Sequence, residues 1–386
     1  MRRGRFALGA AFSAVGLALC RGPSLALELQ DQAPAGQPEP LQARSIRIRL
    51  FSGKSLIRAD VTGADANCTP VLFSFDANTT FKPTAIGGGV PLSVTAYDSG
   101  GLVASRRYAG TVTIAPDPGG ILIINAVDLE AYTPSVLGAE MGPSWPLEAL
   151  KAQAILVRTY ALHAAAFSKK PYDLGDDTSS QVYHGIDAVA DRFTSAAQST
   201  AGLALYAGES VADIFYSAAC GGHTASSVEL TGVIAPPYLR GIADVANNGA
   251  AYCAKAPYFS WQNVIPTGAL ERIFDLDAGD LASIDASATW PDGRVKNVKA
   301  RSHRGFENTM DGRVFYGRCG AQLGYKVLPS TMFGVAPDPG GYGFTGHGIG
   351  HGIGMCQWGA HGRADAGMNA AAILSAYFPG TVSRLA

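Results

Sequence analysis

The sequence predicts a mixed α+β fold, and three observations lead to it. Short apolar runs separated by turn residues fill the stretch from Ser45 to Ala126, one clearly helical periodicity follows near residues 147–166, and no regular alternation of strand and helix appears. With 47 glycines and 16% charged residues, the composition suits a loop-rich mixture of sheet regions and a few helices better than a helical bundle.

In chain order, residues 1–26 read as a signal peptide. Arg2, Arg3 and Arg5 form a basic start, the apolar run from Phe6 to Cys20 is too short to span a bilayer, and Ser24-Leu25-Ala26 suits cleavage after Ala26. The protein is therefore expected to be exported, to the periplasm or cell wall. A lipoprotein box at Leu17-Ala18-Leu19-Cys20, which would tether it to the membrane, and a twin-arginine signal at Arg2-Arg3 are second choices. No later stretch holds the ~20 apolar residues of a transmembrane segment. A net charge of −1 offers no basic excess, so nucleic acid is not an expected partner. Residues 27–44, rich in Gln and Pro, read as a disordered linker.

Residues 45–126 form the β-rich N-terminal part. Ile46-Arg47-Ile48-Arg49-Leu50 alternates with a period of two, Val71 to Phe75 and Ile121 to Ile124 are further strands, and Gly100-Gly101 and Gly119-Gly120 mark turns. At Asp128 the pattern changes to a capped helix start, which Pro134 is expected to kink or restart before Glu140. Pro146 suits the first turn of a longer helix to about Ala166, along which Leu147, Leu150, Ala154, Val157 and Ala161 form a buried stripe. Lys151 and Arg158, seven apart, project from one side of it. By residue type alone these two are solvated charges, and Glu140 is an ordinary helix-end carboxylate. Strand-like pieces at Gln181–Tyr183, Ala204–Tyr206 and Ile214–Tyr216 precede a weakly patterned region from Leu230 to Leu328 and a glycine-rich block. Residues 127–386 are read as the catalytic core.

Without the leader five cysteines remain, Cys68, Cys220, Cys253, Cys319 and Cys356, an odd number for an oxidising compartment. One thiol is expected to be free. Cys220 with Cys253 is the first choice of disulfide, since both lie in one Gly/Ala-rich region. The residue types of Cys220, His223, Cys253 and Cys356 also suit zinc, with the disulfide the simpler outcome; no metal and no cofactor are expected.

Four blocks carry a specific likeness. They are Val127 to Tyr160 with Glu140, then Ser180-Gln181-Val182-Tyr183-His184-Gly185, Phe215 to Thr224 with Tyr216 and Ser217, and Gly346 to Ala360 with His347, His351, Gln357 and Trp358. In this order they resemble the SpoIID family, the SpoIID/LytB-domain lytic transglycosylases of sporulation and cell division. The resemblance implies cleavage of peptidoglycan between N-acetylmuramic acid and N-acetylglucosamine, on strands stripped of stem peptides, to leave 1,6-anhydro ends. It places the catalytic glutamate on Glu140 and turns Lys151 and Arg158 toward the cleft. Gln181, Tyr183, Tyr216 and Ser217 then join them as substrate-binding candidates. Some members carry a zinc site just before the Gln-Val-Tyr block, but here Asp176-Asp177-Thr178-Ser179-Ser180 supplies no such ligands.

The residue chemistry agrees. A lytic transglycosylase needs one carboxyl that protonates the glycosidic oxygen and then accepts the proton of the sugar's own 6-hydroxyl, so no second carboxylate at hydrolase spacing is required. The flanking Leu137, Gly138, Ala139 and Met141 give Glu140 an apolar setting that raises a carboxyl pKa. The glycine-rich block lacks the lysine of a phosphate loop. It reads as one wall of a glycan-binding cleft, with His347, His351, Gln357 and Trp358 as donors and a stacking face. The alternative is a non-catalytic module that binds glycan strands and enhances a cell-wall amidase, as related LytB-type domains do. Retention of Glu140 with Lys151 and Arg158 favours the enzyme.

Overall fold

The computed structural model describes residues 44–64, 69–87 and 89–386. The residues read as a signal peptide, nearly all of those read as a linker, and Cys68 lie outside them. Among the described residues no helix is long and apolar enough to cross a membrane.

The β-rich part consists of two sheets. Arg58–Ala64 is flanked by Pro70–Asp76 and Leu92–Asp98, and the last of these turns back at Gly100 into Gly101–Tyr108. In the second sheet Thr111–Asp117 forms a hairpin with Gly120–Asp128, which also pairs antiparallel with Ser45–Arg49. Alternation in Ser45–Arg49 sends Ile46 and Ile48 inward and leaves Ser45 and Arg47 exposed, as a period of two dictates. Leu174–Gly175 adds a parallel edge, so the chain returns to this sheet after both long helices.

Helix α1, Leu129–Glu140, starts on the Asp128 side chain, which accepts from the Glu130 and Ala131 N–H groups. The helix does not restart at Pro134, which lies inside it. Proline removes the donor for the Glu130 carbonyl, while the hydroxyls of Thr133 and Ser135 bond the neighbouring carbonyls of Leu129 (2.8 Å) and Ala131 (3.3 Å), and the helix runs through. Helix α2, Leu147–Phe167, begins after Pro146 as expected. It is buried on two sides. Val157, Ala161 and Leu162 join the core of the β-rich part, whereas Leu150, Ala154 and Leu156 join a second core with Met355, Ile373 and Phe378. Helix α3, Asp191–Gln198, packs across α1 and α2.

Residues 127–386 contribute to more than one hydrophobic cluster. From Trp261 to Phe344 the chain builds a third cluster of its own around Phe274, Phe315, Phe333 and Phe344. Two three-stranded sheets and the helices Thr267–Ile273 and Gly312–Leu323 enclose it. The strands here are short and the helices few-turned, which is why this stretch shows no long period in the sequence.

Candidate functional site

Glu140 is the last residue of α1, where the chain leaves the helix through Met141. Its Oε1 accepts the Val182 N–H at 2.9 Å. Burial pushes the Glu140 carboxyl above the ordinary carboxylate range, opposed in part by Val182 N–H and by the side chains of Gln357 and Tyr216 that lie against it. Gly138, two residues earlier, lies where a Cβ would run into the Ala188 carbonyl, so α1 is pressed close to the segment after Gln181.

Three further sequence candidates meet here. Gln181 is fully buried; its Oε1 accepts from Tyr132 Oη at 3.0 Å, and its Nε2 donates to Tyr216 Oη at 3.2 Å. It holds Tyr216 in place behind Glu140, and its burial leaves it no surface for a ligand. A short parallel pairing of Tyr216 with Met355 and Ser217 with Cys356 brings the third and fourth sequence blocks together and sets Gln357 beside Tyr216. Gln357 is 5% exposed, and its Nε2 has no hydrogen-bond partner of good geometry although the side chain is near enough to stabilise the Glu140 carboxylate. Such an unpaired buried donor is uncommon.

The glycine-rich part of the fourth block, residues 348–354, is a loop, as its composition demands, and the helix Gln357–Asp365 follows it. Gly348, Gly350, Gly352 and Gly354 all take positive φ, between 72° and 92°, which a side chain at any of them would strain. The loop lies along residues 215–225 through bridges of Ile349 to Ala219 and Ile353 to Ala225. Ser217 Oγ accepts from Gly352 N–H at 3.1 Å, so Ser217 supports the loop. His351 and His347 are exposed on it. The Nδ1 of His351 accepts from Ile353 N–H at 3.1 Å, whereas that of His347 lies near the Phe259 carbonyl and Ser260 Oγ. Trp358, half-buried, packs on Trp145 (4.9 Å between centroids) and His361 (5.3 Å). Trp145 and His361 are additions to the sequence candidates; both lie within five residues of Glu140 or Trp358, the one signal that could have drawn attention to them.

Two of the expected binding residues are placed elsewhere. Arg158 is fully buried and faces inward. Its Nε and Nη2 clasp the Glu130 carboxylate at 2.7 and 2.6 Å, and its remaining donors reach the Ala197 carbonyl and Thr200 Oγ1. It ties α1, α2 and α3 together, so no glycan can use it. Tyr183 is also fully buried, its hydroxyl on Asn125 Oδ1 at 2.8 Å and its ring against Tyr132 and Tyr108. Lys151 pairs with Glu148 one turn back, Nζ to Oε1 2.8 Å. Two hollows on the surface, one at Phe274–Asp280 with Arg304–Thr309 and one at Tyr160 with Ser168–Ser180, leave Glu140 outside.

The expected disulfide is not formed: Cys220, Cys253, Cys319 and Cys356 are all free and buried. His223 stands apart from the cysteines, its Nδ1 2.8 Å from the Thr224 carbonyl.

Comparison with known proteins bears on this arrangement. The model of the stage II sporulation protein family, SpoIID, matches residues 117–206, which contain α1, Glu140, α2 and Gln181. An uncharacterised protein of Brachyspira hyodysenteriae is 33% identical over 280 residues, covering 71% of each chain. The amidase enhancer of Bacillus subtilis is 29% identical over 283 residues, 64% of this chain and 39% of that protein. Stage II sporulation protein D of Bacillus amyloliquefaciens is 27% identical over 276 residues, 67% of this chain and 74% of that one. With the family match spanning the helix pair that presents Glu140, and a relative 33% identical over 71% of each chain beside two named for the family's roles, the chain belongs to the SpoIID family.

Proposed function

We propose that this protein is an exported cell-wall enzyme, a lytic transglycosylase that cleaves the muramic acid to glucosamine bond of peptide-stripped peptidoglycan strands, with Glu140 as general acid and then general base. The observation that carries this reading is a half-buried carboxyl, raised by desolvation, on which no other charged side chain among the described residues acts. In its protonated form Glu140 donates to the glycosidic oxygen as that bond breaks. The resulting carboxylate accepts the proton of the muramic 6-hydroxyl, whose oxygen bonds to the anomeric carbon and closes the 1,6-anhydro ring. Glu140 thereby regains its proton, and neither water nor a second carboxylate is consumed. Gln357, buried beside Tyr216, lies against the Glu140 carboxyl and helps to hold it in place. The exposed His347 and His351 and the half-buried Trp358 give the glycine loop a polar edge and a stacking face for sugar rings.

The test is Glu140→Gln on purified, peptide-free strands, with anhydro-ended products counted by mass spectrometry. Loss of general acid–base function lowers turnover by roughly 10²–10⁴-fold while strand binding persists. Turnover equal to wild type would remove Glu140 from the chemistry.

The relative named amidase enhancer supports a second reading, in which the same surface binds glycan and raises the activity of a separate amidase. Under that reading Glu140→Gln retains full enhancement of a purified cell-wall amidase, and wild type yields no anhydro ends.

A further inference from the structure

Beneath the glycine loop four side chains from distant parts of the chain converge. Cys220, Asp244, Cys253 and Cys356 are each 0% exposed, and one donor atom from each lies within 4.8 Å of all the others. The Sγ atoms of Cys220 and Cys253 are 3.7 Å apart. Two thiolates bound to one tetrahedral zinc at about 2.3 Å are separated by about 3.8 Å, so this gap matches the edge of a zinc tetrahedron.

Two independent features bear on what the cluster holds. The Cys356 sulfur accepts the backbone N–H of Cys220 and of Gly359, both at 3.2 Å, so two main-chain donors fix its position in the cluster. The second feature is the orientation of Asp244. Arg363 Nε and Nη2 donate to its Oδ1 at 3.1 and 3.0 Å, and Tyr377 Oη lies 2.9 Å from both oxygens. These contacts turn Oδ2 toward Cys220 Sγ, 3.3 Å away. A carboxylate held from behind by an arginine and a tyrosine has the outer support of a metal ligand.

We propose that Cys220, Cys253, Cys356 and Asp244 bind one zinc ion in a closed, structural site. Three sulfurs and one oxygen in a dry pocket suit zinc over magnesium or calcium, which take oxygen ligands, and four protein donors leave no position for a substrate. Binding releases the thiol protons to solvent and involves no change of oxidation state. The site uses no residue of the stretch before Gln181. Its effect falls on the candidate active site, because Cys356 directly precedes Gln357 and pairs in register with Ser217, next to Tyr216. The ion therefore pins the two strands that set Tyr216 and Gln357 against Glu140. A Cys220–Cys253 disulfide is the competing state, and it leaves Cys356 without a partner.

The experiment measures metal in the full exported chain, purified without chelator from zinc-containing medium. Elemental analysis and native mass spectrometry should find one zinc per chain. Cys253→Ser and Cys356→Ser should each lose it, while Cys319→Ser keeps it. Cobalt added to the chelated, reduced protein should give the intense thiolate-to-cobalt charge-transfer absorption, absent in Cys253→Ser. Asp244→Asn should bind zinc at least tenfold more weakly; unchanged affinity would overturn the fourth ligand. Should the serine variants fail to fold, wild type alone decides: chelation should make three further thiols reactive to alkylation and lower the melting temperature by several degrees. Wild-type protein that takes up neither zinc nor cobalt after reduction, or that is exported with Cys220 covalently bonded to Cys253, overturns the proposal. None of these readouts depends on glycan cleavage, so their failure is distinct from failure of the proposed activity.

Discussion

Glu140 and Arg158 lie on adjacent helices and behave in opposite ways. Burial raises the Glu140 carboxyl above 4.5. A raised carboxyl binds its proton more tightly in the folded chain than in the unfolded one, so its contribution to stability is present below the unfolded pKa and is lost as pH rises through the folded one. Glutamine imitates the neutral acid. Glu140→Gln should therefore gain thermal stability relative to wild type as pH rises from about 4 to about 7. Melting curves of the two proteins across that range test it, and a constant difference would mean that the carboxyl carries no such burden. For Arg158 the expectation is loss of stability with the site chemistry untouched. Arg158→Lys keeps the charge but gives up the two-point grip on Glu130, which should destabilise the fold by roughly 2–3 kcal/mol. Lys151→Ala, which breaks only a partly exposed pair, should change stability by about 0.5 kcal/mol or less. Urea unfolding of both variants separates the two cases. The identity of Arg158 was legible in the sequence but its direction was not, because a spacing of seven places two residues on one side of a helix without saying which neighbours cover that side.

At the scale of elements, the glycine loop is where composition spoke most clearly. Alternating glycines require backbone that other residues adopt poorly, and the loop realises this at four positions. What composition could not reveal is the partner. A Cβ at Gly352 would run into the Arg294 guanidinium, which is buried and bound to Asp292, the His223 carbonyl and the Cys220 carbonyl, and so has nowhere to move. Gly208, also at positive φ, has open space where its Cβ would stand. Gly352→Ala should thus exceed Gly208→Ala in its effect: about 1 kcal/mol for the backbone conformation alone at Gly208, and roughly 3 kcal/mol or more at Gly352. Equal losses in denaturant unfolding would mean that the contact with Arg294 relaxes freely. Pro134 makes the complementary point, since a proline that reads as a break is carried within α1 when nearby hydroxyls bond the adjacent carbonyls.

For the whole molecule, three cores imply uneven stability. Phe315 is fully buried among Phe274, Phe333 and Phe344, with ring centroids 5.5 to 6.0 Å away, in a cluster that shares no residue with the other two. Phe315→Ala should remove about 3–5 kcal/mol from that cluster. Amide hydrogen exchange should then quicken between residues 260 and 347 while α1 and α2 stay protected. Uniform acceleration along the chain would indicate a single cooperative unit.

The sequence by itself determined the mixed fold class, the β-rich start, the beginning of α1 and the bounds of α2 to within a residue or two, the loop nature of the glycine run and the family. All of these rest on local signals: side-chain alternation, cap residues, helical spacing and runs of glycine. Only the tertiary structure decided that Arg158 and Tyr183 are structural, that Gln181 supports Tyr216 from behind, that the chain from Trp261 to Phe344 forms its own core, and that Asp244 completes a cluster with three cysteines. The physical reason is common to each. Burial and partnership are set by segments far apart in sequence, and a residue's type and spacing do not specify what the rest of the chain lays against it.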